Sequence, residues 1–500
     1  MTASTFAGLI LGLYLLYATI VSYRKLWHFP GPVWARFTNL PRVRWLQTGR
    51  SHEIHMELHD KYGSFVRLGP NMISISDPDA LPAVYPSKLG VKKGNFYRAL
   101  MPFVGKGEPL PLVFNTRDET FHRVLRKPIA PLYTMSNVLT YENTVGRVLD
   151  LLVAQLDTRF AEHQRVFDLG SWLQLFAFES MASMTFSKRY GFLEKGRDDT
   201  GLLYAIRTFL KKASPITQIP WADFLWNKNP IVARLMATTA QPIMDVVMTR
   251  IHQRQQEVEN DGMEGQPETS KDFLFQFKEA RERYADTVGP GAVTAWTFSN
   301  VIAGSDTTAV AMRTLWYNLL TRPSSMASLQ SGLSCQKDVD GLSRSHPPWS
   351  VIVNLPYLDA CVKEALRLHP PFCLPFERIV PSTGMTVCGR YLPPGTTVGM
   401  NPWVINRNKE VFGEDADMWR PERWLSDDHS HAIMEKTMLS FGAGRRMCLG
   451  KNIAIFGMKK LTATLLVKYH IRIQQPERFM TENYFFFHQA GLMAEIEKRA

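Results

Sequence analysis

The segment Phe441-Gly-Ala-Gly-Arg-Arg-Met-Cys-Leu-Gly450 constrains this 500-residue chain more than any other, because it sets three glycines and one cysteine in a turn that runs straight into an apolar helical stretch. Gly442, Gly444 and Gly450 permit turns that a Cβ forbids, and they let the backbone pass close to a flat group. A helix expected from Leu449 to about Tyr469 puts Cys448 at its N-terminus, where N–H donors and the helix dipole lower a thiol pKa. Arg446 adds a planar, permanently charged fork suited to a carboxylate. A nucleotide fingerprint is excluded, since G-x-G-x-x-G needs glycine where Met447 stands. The bland alternative is a buried structural cysteine packed as a small hydrophobe. That is the reading for Cys335, Cys361, Cys373 and Cys388. Five cysteines without short paired spacings argue against a disulfide framework and against a zinc cage.

A thiolate held in such a loop suits the axial position of a haem iron that cleaves an O–O bond, because that iron benefits from an electron-rich ligand. Arg446 is then placed for a haem propionate. Upstream, Ala303-Gly-Ser-Asp-Thr-Thr308 lies in an expected helix from Ala295 to Leu320. There a Thr hydroxyl and a neighbouring acid can pass protons toward bound oxygen, and Gly304 leaves room for it. Local back-bonding is the competing account of that Ser/Thr/Asp cluster. Glu364 and Arg367 share a face of the helical segment Tyr357–His369, which alone is a common surface ion pair. His122 and Arg126 stand at i,i+4.

Together these segments resemble the cytochrome P-450 family. Phe441-x-x-Gly444-x-Arg446-x-Cys448-x-Gly450 matches its haem-binding signature, and Glu364-x-x-Arg367 looks like its E-x-x-R pair. Residues 303–308 resemble its A-G-x-D-T-T, and Pro421-Glu-Arg-Trp424 its P-E-R-F motif with Trp for Phe. The resemblance implies a mostly α fold, a large helical lobe with a small β-rich lobe. It implies haem b, with the iron on Cys448 and with Phe441, Gly442 and Gly450 against the cofactor. The propionates would meet Arg446, Arg378, and the His122–Arg126 pair, where the family often has Trp-x-x-x-Arg. Asp306 and Thr307 would be catalytic, and Glu364, Arg367 and Arg423 a buried structural triad. A membrane-bound, NADPH-dependent flavoprotein reductase would supply electrons, and the chain's net charge of +12 suits docking to an acidic partner. Residues 61–70 and 96–100 look most like filamentous-fungal members near pisatin demethylase. That likeness implies hydroxylation or O-demethylation of a hydrophobic specialised metabolite. A haem-thiolate isomerase or dehydratase is the rival, although such enzymes tend to lose the acid–Thr pair. A membrane-tethered haem-binding protein is another, and it would need no proton relay.

The remaining organisation follows from patterning. Thr5–Tyr23 carries no charge and is about the length that spans a bilayer, with Arg24 and Lys25 directly after it. The expected division is therefore an N-terminal transmembrane anchor at 1–23, a basic, proline-rich hinge at 24–32 and a catalytic domain at 33–500. A cleaved signal peptide competes with the anchor, but it would have a charged segment before a shorter apolar one. The expected location is the endoplasmic reticulum membrane, single-pass, with the catalytic domain cytosolic. Lys and Arg are dispersed and form no reader motif, so nucleic acid is not an expected partner. Residues 65–75 read as a hairpin, and 385–400 as strands around Pro393-Pro394-Gly395. Residues 256–271 read as a surface loop. Residues 214–226 either dip into a membrane or pack in the core. Residues 323–350, where relatives should hold a charged amphipathic helix, are poor in helix formers.

Overall fold

The computed structural model describes residues 20–88, 90–104, 108–225, 229, 241–261, 271–304, 306–334, 346–426 and 429–499, with Phe6 and Tyr17. Helices dominate: α1 (Ser51–Tyr62), α2 (Glu119–Arg126), α3 (Glu142–Arg159), α4 (Leu169–Phe186), α5 (Leu202–Thr217), α6 (Ala292–Ala303), α7 (Asp306–Thr321), α8 (Pro323–Ser334), α9 (Pro356–Leu368) and α10 (Lys451–Lys468). α4 is apolar around almost its whole circumference, and all but Ser171 and Gln174 of its 18 residues are buried. A helix hydrophobic on every side belongs in the centre of a large lobe, and α3, α6 and α7 pack around it.

The small lobe is a five-stranded sheet. Its strands are β1 (Phe65–Gly69), β2 (Met72–Ile75), β3 (Lys92–Lys93), β4 (Arg378–Ile379) and β7 (Thr397–Gly399), in the order β1-β2-β7-β4-β3; β5 (Met385–Val387) and β6 (Arg390–Leu392) pair separately. The expected hairpin is present as β1 and β2, with a register shift between Arg67 and Gly69. The other strand pattern is also present, with Pro393-Pro394-Gly395 turning the chain from β6 into β7 of the main sheet. A further hairpin precedes it: β5 and β6 are joined at Cys388 (φ 44°) and Gly389 (φ 73°), because a two-residue hairpin needs positive φ at both central positions.

Three expectations are corrected. The helix expected from Ala295 to Leu320 is two helices, ending at Ala303 and restarting at Asp306. Thr307 Oγ1 donates to the Ala303 carbonyl (2.8 Å) and Thr308 Oγ1 to that of Gly304 (2.9 Å). Such hydroxyls compete with the backbone ladder and loosen it. Gly304 also permits close packing, since a Cβ there would come within 2.2 Å of Met181 Cε. Pro323–Ser334 is helical despite its composition, with Ser325, Leu329 and Leu333 buried; tertiary packing overrides weak propensity. A helix, Gln241–Asp261, occupies the first part of the loop expected at 256–271. Residues 262–270 lie outside the described residues.

Leu26 and Phe29 are fully buried in the small-lobe core with Phe65, Ile73 and Val398. Buried Arg67 donates to the carbonyls of Ser22 (3.0 Å) and Pro70 (2.7 Å), and its own N–H to that of Pro30 (2.7 Å). Among the described residues, no helix is long and apolar enough to cross a membrane. Most of the expected 1–23 anchor lies outside the described residues.

Candidate functional site

The cysteine loop is shaped by its backbone. Gly442 (φ 70°) and Gly444 (φ 61°) take left-handed conformations, and a Cβ on Gly444 would strike the carbonyl oxygens of Tyr85 and Pro86 at 2.2 and 2.6 Å. The Cys448 N–H donates to the Phe441 carbonyl (2.8 Å), closing the loop across its base. The helix starts later than expected, at Lys451 with Gly450 as its N-cap. Cys448 therefore sits just before the helix. Its sulfur accepts from the Gly450 and Lys451 N–H groups. Burial pushes the Cys448 thiol up, against those N–H groups and the charges of Arg126 and Lys451. The expected lowering is thus present in the local contacts but outweighed by desolvation. Cys448 nonetheless keeps exposed surface, so its sulfur is not sealed in by side chains.

Beside the loop lies a cluster of buried and half-buried cations. Arg446 is paired with Glu119 through Nη2 (2.6 Å) and Nε (3.1 Å), and Arg445 Nε is 3.2 Å from the same carboxylate. Arg126 Nη1 donates to the Met447 carbonyl (2.8 Å). Arg378, 4% exposed, lies over the Tyr85 ring and donates to the Glu377 carbonyl. Lys93, 4% exposed, donates to the Phe114 carbonyl and stands over the Tyr97 ring at 3.9 Å. Burial, with the charges of Arg378 and Arg446, drives its amine well down. His122 is 2% exposed, and among the described residues neither ring nitrogen has a hydrogen-bond partner. Burial and the surrounding Arg446, Lys93 and Arg126 charges depress it to about 2. Buried polar atoms are almost always satisfied. Unpartnered imidazole nitrogens inside a cluster whose one paired acid is Glu119 fit a bound dianion, such as the two propionates of a haem. The residues present therefore fit that cofactor, with Cys448 on its iron side.

Asp306 opens α7, next to the helix break. Its Oδ1 accepts from Gln174 Nε2 (2.8 Å), and Gln174 Oε1 accepts from Arg313 Nη2 (2.6 Å). Burial pushes the Asp306 carboxyl up, against the pull of Arg313 and Arg207. The Thr307 hydroxyl donates to Ala303 O, which leaves its oxygen lone pairs to accept a hydrogen bond.

The structure brings Glu364, Arg367 and Arg423 together as expected. Glu364 receives Arg367 Nε (2.8 Å) and Nη2 (2.7 Å), Arg423 Nε (3.1 Å) and the Arg420 N–H (3.0 Å). Trp424, where the family motif has Phe, donates its indole N–H to Glu364 Oε2 (2.8 Å). Burial alone would raise this carboxyl, but Arg367 and Arg423 hold it below its usual range. Aromatic residues from three separate segments also meet: Phe485 lies 5.2 Å from Phe96 and 4.6 Å from Phe372, which stacks on Phe376 at 4.5 Å. The 214–226 segment divides between its two readings. Ser214 and Thr217 are buried, while Trp221 is 67% exposed.

Sequence reasoning missed Lys93, Glu119, Arg445 and Gln174. Glu119 stands one turn before His122, a signal that helical spacing could have supplied. Lys93 and Gln174 carry no local signal, because strand pairing and helix packing bring them in.

The family model described as Cytochrome P450 matches residues 29–495. Similar relatives include a cytochrome P450 monooxygenase of Aspergillus flavus, 56% identical over 98% of this chain and 97% of its own length. The cytochrome P450 monooxygenase pkfB of Emericella nidulans is 52% identical over 97% of this chain and 94% of its own. Cytochrome P450 monooxygenase asR2 of Sarocladium schorii is 46% identical over 96% and 93%. With a cysteine loop and a cationic cluster that fit haem b, and near-full-length likeness to monooxygenases, this chain belongs to the cytochrome P450 family, the haem-thiolate oxidoreductases.

Proposed function

We propose that this chain inserts one oxygen atom from O2 into a hydrophobic specialised metabolite, by hydroxylation or O-demethylation, in fungal secondary metabolism. The observation that carries the reading is the pairing of a Cys448 loop with a half-buried acid, Asp306, beside a broken helix. Bound haem supplies redox chemistry at iron, and thiolate ligation favours O–O cleavage. The protein's part is positioning and proton supply. Cys448 ligates the iron, with the Gly450 and Lys451 N–H groups steadying its charge. Arg446, Arg126, Arg378 and His122 hold the propionates, and Phe441, Gly442 and Gly450 flank the cofactor. Asp306 takes protons from solvent and passes them to the Thr307 hydroxyl, which delivers them into the pocket. The aromatic lining around Phe96, Phe372 and Phe485 excludes water and selects apolar substrates.

Electrons come from an NADPH-dependent flavoprotein reductase that docks on a basic face. Residues 1–23 anchor the chain in the endoplasmic reticulum membrane, residues 24–32 set the entry angle, and residues 33–500 form the catalytic domain in the cytosol. Exposed Trp27, Trp34, Leu40, Trp221 and Leu225 support a membrane-facing side. The Leu40–Gln47 helix packs on α5, and α5 on the Pro220–Leu225 helix, so these side chains belong to neighbouring elements.

Two variants test the reading. Cys448→Ser should abolish the red-shifted Soret band of the ferrous carbon-monoxide complex together with activity; a retained thiolate spectrum overturns the ligand assignment. Thr307→Ala should keep that spectrum and NADPH consumption, while hydrogen peroxide released per NADPH rises and product falls. General acid catalysis is worth about 10²–10⁴-fold, so the loss is measurable. Unchanged coupling would favour the isomerase rival.

A further inference from the structure

Asp306 and Arg313 lie two helical turns apart on α7, and among the described residues no direct ion pair joins them. Gln174, from the neighbouring α4, stands between. The orientation of its amide is forced, because a carboxylate only accepts and a guanidinium only donates. Nε2 must face Asp306 (2.8 Å) and Oε1 must face Arg313 (2.6 Å). Arg313 is anchored in turn: it is 5% exposed, and its Nε lies over Gly170, where a Cβ would come within 3.0 Å. Asp168, the N-cap of α4, attracts its charge. This line of groups cannot conduct protons, since a guanidinium stays protonated. It can only hold a side chain in place.

We propose that Gln174 is a positioning residue for oxygen activation: gripped by Arg313, its amide fixes the Asp306 carboxyl beside the α6–α7 break in the orientation from which protons reach Thr307. The inference rests on the reading of Asp306 as the proton-delivering acid. A carboxyl at the first residue of a helix is otherwise free to rotate about χ1 and χ2. A direct Arg313–Asp306 pair would orient it too, but would hold it ionised. A neutral amide between them orients the acid while letting it take up a proton, and burial of Asp306 favours the protonated form.

The test uses the full-length haem-loaded protein with its reductase, without added substrate, reading NADPH oxidation and the share of electrons recovered as hydrogen peroxide rather than water. Wild type, Gln174→Met, Gln174→Glu and Asp306→Asn are compared across pH, each with its carbon-monoxide spectrum and thermal midpoint. Gln174→Met keeps side-chain length but not the bridge, and should slow turnover about tenfold, the effect of losing one hydrogen bond to a charged group. Gln174→Glu sets two carboxylates side by side, so the acidic limb of its rate profile should move to higher pH. Spectrum and midpoint should match the wild type in both. If Asp306→Asn is impaired while both Gln174 variants keep wild-type rates and pH profile, the inference falls and the Asp306 reading stands. If the Gln174 variants lose rate only together with their thermal midpoint, and Gln174→Glu shows no pH shift, Gln174 is merely structural and the inference is again overturned. If Asp306→Asn itself behaves as wild type, the underlying reading falls and takes the inference with it.

Discussion

Two charge clusters lie beside the proposed haem site, and they are built in opposite ways. Around Glu364 every charge is answered: the carboxylate has five donors, and Arg367 donates onward to the carbonyls of Asn406 (2.8 Å) and Met418 (3.1 Å). Around Glu119, Lys93, Arg126, Arg378, Arg445 and Arg446 gather near one paired acid, and His122 lacks any partner. The first cluster is complete within the chain and stabilises the fold. The second is complete only with an anionic ligand, so its side chains act on binding.

The sharpest way to break this comparison is to remove the acid from the balanced cluster. Glu364→Ala leaves Arg367 and Arg423 buried and uncompensated, which costs about 3–5 kcal/mol. We expect little haem-loaded protein to accumulate, read as a large drop in the denaturation midpoint of what remains. The matching change in the cationic cluster, Arg126→Ala, should weaken haem retention about 10–100-fold, the value of a hydrogen bond to a charged group. Fold stability should hardly move. Haem transfer to an acceptor protein measures the first effect and chemical denaturation the second; equal losses in both would erase the distinction.

Acid sharpens it from another side. His52, His55 and His59 on α1 are buried, with pKa values near 3, 3 and 4, chiefly from desolvation. They fold neutral but protonate near 6.5 when unfolded, so their contribution is full above that pH and is lost as pH falls below it. Each should remove about 1 kcal/mol by about pH 5.5. Glu364, held below the usual range, loses its contribution only as pH falls below about 4.5. Stability should therefore decline before the triad titrates. A flat thermal midpoint between neutral pH and that point would refute the assignment. The smallest expected effect is that of Trp424→Phe, which restores the family's residue but removes one of Glu364's five donors. It should cost about 0.5–1 kcal/mol, without changing haem affinity.

What could be read from the sequence was chemistry carried by contiguous residues. The cysteine loop, the Glu364–Arg367 spacing and the 65–75 hairpin were legible because their geometry depends on neighbours in the chain. The turn at Pro393-Pro394-Gly395 was legible for the same reason, whereas the one at Cys388-Gly389 was missed because a Pro-Pro-Gly run signals a turn more loudly than a positive-φ pair does. The α6–α7 break was missed because apolar helix formers flank it, while the Thr307 and Thr308 hydroxyls act on the backbone from within.

Sequence alone thus determined the family and marked the cysteine loop and the proposed acid–alcohol pair, since each is a pattern of residue types at short spacing. The tertiary structure decided what surrounds them. It placed Lys93 on a strand against Arg378, turned Glu119 onto Arg446, gave Glu364 the Trp424 donor and put Gln174 between Asp306 and Arg313. These partners lie far apart in the chain and meet only because burying the apolar faces of α4, α7 and the small sheet fixes their distances. Local spacing carries no record of such meetings.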